Sequence, residues 1–471
     1  MANSPADEPL TPAGRLFLQP EMSTIIHGAF GVKHQIDIDS LKSAIKDSMM
    51  LKHPRFSSLL VRDKNGREHW RRTEIDIDRH IILVGTSSSS GNESNDDVEK
   101  TVNDYIADLS VSTPLSSDKP LWEIHLMLEK KCLIFRIHHA LGDGISLMSM
   151  LLAGCRKAED PEAVPTLGAS GGGNRDRKGG EKGKDWRGIL MEFLKIVWFS
   201  LVFCSEFVLR CLWLRDRKTV ISGGDGVELW PRKVATAKFL IDDMKLVKNA
   251  VVNSTINDVL LGVISAGLST YLDHRSPNSM KEGQQLTGIA MVNLRKQPGL
   301  QDLNEMMEKN SGSRWGNKFG MLLLPTYYHK GVEPLQYVRN AQKMTNKKKK
   351  TLEAPFSYQI GDLVMSWFGP KVATFFNYRV MCNTTFTISN VMGPQDSITI
   401  AGNPVTFIRV NTSSLPQGVA MHMVSYAGRA DMQIVVAKDI VPDPQFLAKC
   451  FEDSLLEMKE AAQFSDGSKI H

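Results

Sequence analysis

The sequence predicts an α/β protein of two sandwich-like domains, because strand and helix patterns are mixed in both halves of the chain. Its 471 residues are enough for two or three domains with substantial cores. The 42% hydrophobic and 23% charged residues are typical of a folded protein. A polar, glycine-rich interruption separates the two halves. We therefore divide the chain into an N-terminal domain (1–165), an intervening segment (166–229) and a C-terminal domain (230–471).

The first clear helix of the N-terminal domain lies in the segment 32–54, after the end of a strand. Asp39 or Ser40 is expected to cap it, because both side chains accept hydrogen bonds from free backbone N–H groups. Leu41, Ile45 and Met49 then lie on one face of this helix.

Two apolar runs later in this domain predict a pair of neighbouring strands. They cover Leu121–Leu128 and Cys132–His139, and the charged residues Glu129–Lys131 between them predict a short turn. A helix from Ile145 to about Lys157 follows directly, so the second strand ends in a strand-to-helix junction.

The intervening segment combines a linker with the most apolar stretch of the chain. Residues 168–185 are almost all Gly, Lys, Arg, Asp and Ser, which predicts a flexible linker. The stretch Ile189–Leu214 is long enough for a membrane-spanning helix, but its uncharged centre, Ile196–Ser205, has only ten residues. Three interpretations stay open: a helix lying in the membrane interface, a true span, and a buried crossover helix.

The C-terminal domain opens with a helix whose start is marked by a capping box, Thr255 with Asp258. A final helix is predicted to start at Asp443-Pro444. Between these helices, five short runs predict strands, at 286–295, 384–391, 405–410, 418–428 and 432–439.

Charge and cysteine content restrict the cellular context more than the activity. The net charge of +5 fits an anionic small ligand or a membrane surface as well as nucleic acid. The lysine run Asn346–Lys350 is either a solvated helix face or a contact for CoA phosphates or anionic lipid. Six cysteines without a CxxC pair favour reduced thiols in a cytosol-facing protein, and residues 1–15 lack the apolar segment of a secretory signal.

Two adjacent histidines, His138 and His139, end the predicted strand Cys132–His139. Side chains alternate between the faces of a strand, so the two rings point in opposite directions and cannot easily act on the same atom. If one is catalytic, the other is structural. Histidine also binds zinc, but no HExxH motif is present and adjacent ligands on opposite faces have poor geometry. We expect no metal.

The residues after the histidines predict a tight turn into the next helix. Gly142 and Gly144 allow such a turn, and Asp143 stands where a carboxylate caps a helix. A purely structural role of two buried histidines would not require the fixed pattern His-His-x-x-x-Asp-Gly at a strand-to-helix junction. The pattern therefore favours a functional role.

The segment HHALGDG (138–144) resembles the HHxxxDG motif of the CoA-dependent acyltransferase superfamily, whose members have two chloramphenicol-acetyltransferase-like domains. The DFGWG motif of plant BAHD acyltransferases is absent. Further blocks resemble the plant branch of the bifunctional wax ester synthase/diacylglycerol acyltransferase family. They are HPRFSS (53–58), KPLWEIHL (119–126), TINDVLLG (255–262), MVNLR (291–295), GNKFG (316–320) and TISNVMGP (387–394).

This resemblance implies transfer of a long-chain acyl group from acyl-CoA to a fatty alcohol or to diacylglycerol. His139 matches the general base, His138 its structural neighbour, and Gly144 leaves space where the substrates meet. The motif aspartate, Asp143, is expected to pair with Arg295 and to hold the turn. No covalent intermediate and no cofactor are implied, with acyl-CoA as the co-substrate.

The resemblance also suggests residues for the channel and for the developing oxyanion. Asn257 matches the family's Asn-Asp block and is expected to line the channel or donate to the oxyanion. Ser389 and Asn390 border the channel between the domains and are candidates for the same role. A purely structural role for this Asn-Asp block is the alternative, because its aspartate, Asp258, is already explained as a helix cap.

The expected partners are acyl-CoA, the alcohol or diacylglycerol acceptor and membrane lipid, without nucleic acid or metal. The family's substrates imply the cytosolic face of the endoplasmic reticulum membrane, with the plasma membrane as the alternative. Two other functions stay open: a BAHD-like transferase with another hydroxyl or amine acceptor, and a non-catalytic acyl-CoA or lipid-binding protein.

Overall fold

The computed structural model describes residues 8–85, 94–112, 114–160, 162–163, 165, 186–295 and 315–467. The predicted linker at 168–185 lies outside these residues. Within them the helices are α1 (Pro12–Leu16), α2 (Ile38–Asp47), α3 (Met49–Lys52), α4 (Asn95–Ser112), α5 (Gly144–Gly154), α6 (Trp186–Leu212), α7 (Ile241–Ala250), α8 (Ile256–Arg275), α9 (Pro334–Lys348), α10 (Glu353–Cys382) and α11 (Pro444–Gly467).

The strands of the described residues are β1 (Glu8–Pro9), β2 (Ile25–Val32), β3 (Ser58–Arg62), β4 (Glu68–Arg72), β5 (Ile81–Leu83), β6 (Trp122–Met127), β7 (Cys132–His138), β8 (Arg156–Lys157), β9 (Arg232–Leu240), β10 (Gln285–Asn293), β11 (Phe319–Tyr327), β12 (Phe386–Met392), β13 (Ile398–Ile400), β14 (Asn403–Thr412), β15 (Val419–Tyr426) and β16 (Arg429–Ala437).

Two large mixed sheets form the framework, which confirms the predicted α/β class with a sheet in each half. The first sheet has the order β5-β6-β7-β2-β14-β13-β8, and the second has the order β11-β10-β12-β15-β16-β9. A small sheet, β1-β4-β3, lies beside the first. The predicted pair β6 and β7 is present, and Lys131 takes a left-handed conformation (φ 49°) in the turn between them.

Two predicted helix ends differ from the structure. Helix α2 is capped by Asp37, whose side chain accepts a hydrogen bond from the Asp39 backbone N–H over 3.1 Å, so neither Asp39 nor Ser40 is the cap. Helix α5 ends at Gly154 rather than near Lys157, because the chain then forms the edge strand β8.

The first sheet contains strands from both ends of the chain, which corrects the assignment of all of 230–471 to one domain. Strands β13 and β14 belong to the first sheet, and β14 runs antiparallel to β2 with Val410 opposite Gly28 and Thr412 opposite Ile26. This exchange brings the C-terminal half directly against the strand that adjoins the two histidines.

Helix α4 fills the space between the two sheets. Its buried side chains Val102 and Ile106 share one core cluster with Ile134 of the first sheet and Val234 and Val435 of the second. Burial of apolar surface on both sides of one helix stabilises the arrangement of the two halves.

Helix α6 contains the predicted apolar stretch, although it begins at Trp186 and ends at Leu212. Among the described residues it is the one helix that is long and apolar enough to cross a membrane. Most of its apolar side chains are exposed, including Trp186 (66%) and Trp198 (64%). Its C-terminal end is different, because Phe207 and Arg210 are buried against the second sheet and α10. The interpretation as a buried crossover helix therefore fits only that end.

The buried charge of Arg210 is compensated by a dense set of partners. Its guanidinium donates to Asp216 Oδ1 over 2.9 Å, to Glu206 Oε1 over 3.0 Å and to Thr287 Oγ1 over 2.8 Å. Asp216 also accepts from the backbone N–H of Thr287 and the hydroxyl of Thr385. This network ties α6 and the following loop to the second sheet.

We predict that Asp216→Ala destabilises the protein by about 3–5 kcal/mol, because it leaves the Arg210 charge buried without its main carboxylate partner. The matched control is Asp242→Ala, which removes an exposed ion pair with Lys245 and is expected to cost less than about 1 kcal/mol. Denaturant unfolding of both variants measures the difference. Equal effects of the two substitutions would contradict this account of α6.

Candidate active site

The two histidines lie where β7 ends and the chain turns into α5. Strand β7 stops at His138, which is paired with Ile25 of β2. The backbone N–H of His139 donates to the Thr24 carbonyl over 2.8 Å, and the Leu141 N–H closes the turn on the His138 carbonyl. Neighbouring strands therefore fix the position of both rings.

The two rings have different environments, as the alternation of strand side chains predicts. His138 is buried, and its Nδ1 accepts a hydrogen bond from the Ala140 backbone N–H over 3.2 Å. Burial lowers its pKa to about 4. His139 instead lines a cavity and stacks on Phe17, with ring centroids 4.1 Å apart. The structure thus places His139, and not His138, where a substrate has access.

Asn317 determines which nitrogen of His139 carries the hydrogen. Its amide Nδ2 donates to the backbone carbonyl of His139 over 2.8 Å, which turns Oδ1 toward the ring. Oδ1 lies 3.0 Å from His139 Nδ1. An amide oxygen only accepts hydrogen bonds, so Nδ1 must be the donor and Nε2 must carry the lone pair. Nε2 is therefore the nitrogen that can accept a proton.

The protonation state of His139 follows from its surroundings. Burial lowers its pKa below the usual value of 6.5, while the nearby Asp143 carboxylate acts in the opposite direction. Since burial is the larger effect, the imidazole is neutral at neutral pH and can act as a base.

The predicted pair between Asp143 and Arg295 is present and bidentate. Arg295 Nη1 lies 2.8 Å from Oδ2 of Asp143, and Nη2 lies 3.2 Å from Oδ1. The Arg295 side chain is fully buried and also donates to the Gly316 carbonyl over 2.6 Å. Asp143 further accepts from the backbone N–H groups of Ser146 and Lys318. The Asp143 carboxylate therefore caps α5 and joins the turn at residues 138–143, here called the histidine turn, to the C-terminal half.

The cavity beside His139, here called the His139 cavity, has a volume of about 180 Å³ and walls from both halves. Ser389 and Asn390 line it, as the sequence predicts. Asn257 does not line it, because its exposed side chain accepts a hydrogen bond from Asn390 Nδ2 over 2.8 Å on the outer side. This places Asn257 behind Asn390 and corrects its predicted position on the channel wall.

A second, apolar cavity of about 160 Å³ adjoins the His139 cavity, and most of its wall residues belong to the N-terminal half. It lies between the first sheet and helices α2 and α5, and apart from Ser48 and Cys155 its lining side chains are apolar or absent. The two cavities share four wall residues, Ile26, Gly144, Val391 and Val410. We call it the apolar cavity.

Gly144 is needed for space and not for backbone conformation. Neither Gly142 nor Gly144 has a positive φ, so the predicted conformational reason for these glycines is wrong. A Cβ atom at Gly144 would lie 3.3 Å from Val391 Cγ2, at the wall shared by the two cavities. The prediction that Gly144 leaves space beside His139 agrees with this position.

Three residues of the site were not identified from the sequence. Asn317 lies in the block GNKFG, but no local pattern shows that its amide reaches a histidine 178 residues away. Phe17 and His422 also line the His139 cavity. Burial lowers the pKa of His422 to about 4, so its ring is neutral as well. Within the described residues, no group of three or more His, Cys, Asp or Glu is placed to hold a metal ion.

Comparisons with known protein families agree with the geometry of the site. Residues 31–200 match the wax ester synthase/diacylglycerol acyltransferase catalytic domain, and residues 315–459 match the WS/DGAT C-terminal domain. The chain is 35% identical to wax ester synthase/diacylglycerol acyltransferase 11 of Arabidopsis thaliana, across 97% of this chain and 95% of that protein. It is 33% identical to wax ester synthase/diacylglycerol acyltransferase 5 of the same plant, across 97% and 94%.

Solved structures share the fold at low sequence identity. The wax ester synthase/diacylglycerol acyltransferase from Marinobacter aquaeolei VT8 superposes with a TM-score of 0.58 at 16% identity, across 97% of this chain and all of that chain. The TRI3 trichothecene 15-O-acetyltransferase from Fusarium sporotrichioides superposes with a TM-score of 0.59 at 13% identity, across 96% and 94%. With two family domains matched and relatives above 30% identity along its whole length, the chain belongs to the wax ester synthase/diacylglycerol acyltransferase family.

Proposed function

We propose that the protein transfers a long-chain acyl group from acyl-CoA to the hydroxyl of a fatty alcohol or of diacylglycerol, with His139 as the general base. Family membership supports the acyl transfer and its two acceptor classes. The observation that carries the mechanism is the orientation of His139, whose Nε2 keeps its lone pair because Asn317 holds Nδ1.

The reaction proceeds by direct transfer between the two substrates. His139 Nε2 accepts the hydroxyl proton while the alcohol oxygen bonds to the thioester carbonyl carbon. The tetrahedral intermediate then expels the CoA thiolate, which takes the proton back from the imidazolium. The products are an ester, a CoA thiol and a neutral His139. The balance requires no covalent enzyme intermediate, no metal and no cofactor besides the co-substrate acyl-CoA.

Ser389 is the group that we propose to stabilise the oxyanion. Adjacent residues of a strand point to opposite faces, so Ser389 and Asn390 cannot easily act on the same atom. Both residues line the His139 cavity from β12, but the exposed amide of Asn390 donates to Asn257. Donors that are fixed before the reaction stabilise a developing charge without reorganisation.

The apolar cavity is the proposed site of the acyl chain. Its lining is almost free of polar side chains, and it meets the His139 cavity at Gly144. A chain that lies there places its carbonyl end near His139 while its methylene groups are removed from water.

Membrane association is supported by the exposed apolar surface of α6 and by the lipid substrates of the proposed reaction. Contacts join α6 to the rest of the protein at both ends, from the Glu192–Lys350 pair to the Arg210 network. These contacts at both ends favour an orientation of α6 along the membrane interface over one that crosses the bilayer. We propose the cytosolic face of the endoplasmic reticulum as the location, with the plasma membrane as the alternative.

Replacement of the base tests the mechanism. We expect His139→Ala to lower kcat by about a hundredfold to ten-thousandfold, because the hydroxyl proton then has no positioned acceptor. The control is His34→Ala, an exposed histidine that lines neither the His139 cavity nor the apolar cavity, which should leave the rate unchanged. The assay measures ester formation from palmitoyl-CoA and hexadecanol or diacylglycerol. Wild-type rates from a folded His139→Ala variant would refute the mechanism.

The pH profile tests the orientation given by Asn317. Because burial lowers the His139 pKa below its usual value, the wild-type rate should be level at neutral and alkaline pH and fall on the acid side. In Asn317→Asp a carboxylate would face Nδ1 and stabilise the imidazolium, so the pKa rises and the acid limb moves to higher pH. An acid limb that stays in place would show that Asn317 does not hold Nδ1.

Chain-length dependence tests the assignment of the apolar cavity. Ala44 of α2 lines this cavity, and Ala44→Phe would fill part of it. We expect the variant to lose activity with palmitoyl-CoA by about tenfold or more and to keep activity with butyryl-CoA. The same comparison with hexadecanol and butanol as acceptors is the control. A changed preference for alcohol length, with acyl preference unchanged, would assign the cavity to the acceptor instead.

A further inference from the structure

We infer that α6 and α10 form a lateral portal through which the lipid acceptor passes from the bilayer to His139. The inference rests on the proposed function and adds a route for one substrate. It follows from three features: a helical hairpin with an exposed apolar tip, a basic rim beside α6, and a series of adjoining cavities.

Helix α10 is a hairpin and not a continuous rod. Gly369 has φ 80° and ψ 177°, which interrupts the helix immediately before Pro370. Ser357 and Gly361 before the break line the same two cavities as Ala373 and Asn377 after it. Residues twenty positions apart on a straight helix would be about 30 Å apart, so the two halves must fold back on each other.

The hairpin and α6 present one large apolar surface. The tip of the hairpin carries Trp367 (73% exposed) and Phe368 (62% exposed), with Phe375 exposed on the second half. The hairpin packs against the exposed helix α6. Exposed apolar surface of this extent marks an interaction site, and tryptophan and phenylalanine at its edge suit the interface of a phospholipid bilayer.

Lysines at the end of α9 border this surface. Lys347, Lys349 and Lys350 are exposed, and Lys350 pairs with Glu192 of α6 over 2.9 Å. Lys348 differs from the predicted solvated face, because it is buried and pairs with Glu353 over 2.7 Å. The exposed lysines stand beside α6, where they complement anionic lipid headgroups. This charge favours a bilayer over an apolar protein partner.

Adjoining cavities connect the apolar surface with the site. A cavity of about 210 Å³ between α6 and the hairpin shares Ser357, Gly361, Ala373 and Asn377 with a smaller cavity beside α1 and β11. The smaller cavity in turn shares Leu16, Phe319 and Met321 with the His139 cavity. Apart from Ser357 and Asn377, the shared wall residues are apolar or glycine, which suits a passing alkyl chain.

Gly361 lies where the two outer cavities of this route meet. It lines both outer cavities, and a Cβ atom there would meet no heavy atom within 4 Å. The space beside it is therefore open, and a large side chain at this position would fill the route without a clash at its first atom.

The test compares a bilayer-dissolved alcohol with a soluble one. In Gly361→Trp we expect the KM for hexadecanol in phosphatidylcholine vesicles to rise about tenfold or more, while transfer to butanol in water is unchanged. Gly361→Ala is the matched control and should behave as wild type. Val208 of α6 lines the outer of these two cavities and is exposed, so Val208→Trp should raise the KM for hexadecanol in the same way. This second variant serves as the test if Gly361→Trp does not fold.

Equal changes for both alcohols, or no change for either, would overturn the portal. Ester formation from butanol by wild type shows that the transferase activity itself is intact, so failure of the portal is distinguishable from failure of the proposed function. As a second readout, Trp367→Asp with Phe368→Asp should reduce flotation with vesicles containing phosphatidylserine and leave butanol transfer unchanged. Flotation at the wild-type level would contradict the bilayer contact.

Discussion

The ion pair between Asp143 and Arg295 joins segments 152 residues apart in the sequence, and the geometry of the site depends on it. Both charges are buried, so each would be costly without the other. Asp143 is also the cap of α5, and Arg295 also holds the Gly316 carbonyl, next to Asn317. Through these bonds one pair fixes the histidine turn, the start of α5 and the segment that orients the His139 ring.

The fold explains why such a pair can be held in place. Strands β13 and β14 leave the C-terminal half and enter the first sheet, and α4 packs between both sheets. The two halves therefore share a sheet and a core cluster in addition to the ion pair. A cavity at their junction obtains its base from one half and its polar wall, Ser389 and Asn390, from the other.

Local features of the site could be predicted from the sequence. The alternation of side chains along β7 separated the roles of His138 and His139, and the family resemblance implied the Asp143–Arg295 pair. The start of α8 was also predicted correctly, because its capping box joins Thr255 and Asp258, which are only three positions apart. The cap of α2 was predicted two or three residues too late.

Features that depend on distant contacts could not be predicted in this way. The residues of β14 have an ordinary strand pattern, which does not indicate the sheet that the strand joins. No local sequence pattern distinguishes Asn317 from the other asparagines, because its contact with His139 arises only in the folded protein. The hairpin break at Gly369-Pro370 is visible as a helix interruption, but whether the halves stay in line or fold back depends on their packing. Lys348 belongs to a lysine run, yet Glu353 draws it into the interior.

The most direct test of the central claim is a structure of the protein with a non-transferable thioether analogue of palmitoyl-CoA and hexadecanol. The account predicts the alcohol oxygen within about 2.6–3.2 Å of His139 Nε2, with the hydrogen bond between Asn317 and Nδ1 retained. It also predicts the alkyl chain of the analogue in the apolar cavity beyond Gly144. An alcohol oxygen bound away from Nε2, in a complex with both substrates in place, would contradict the assignment of His139 as the base.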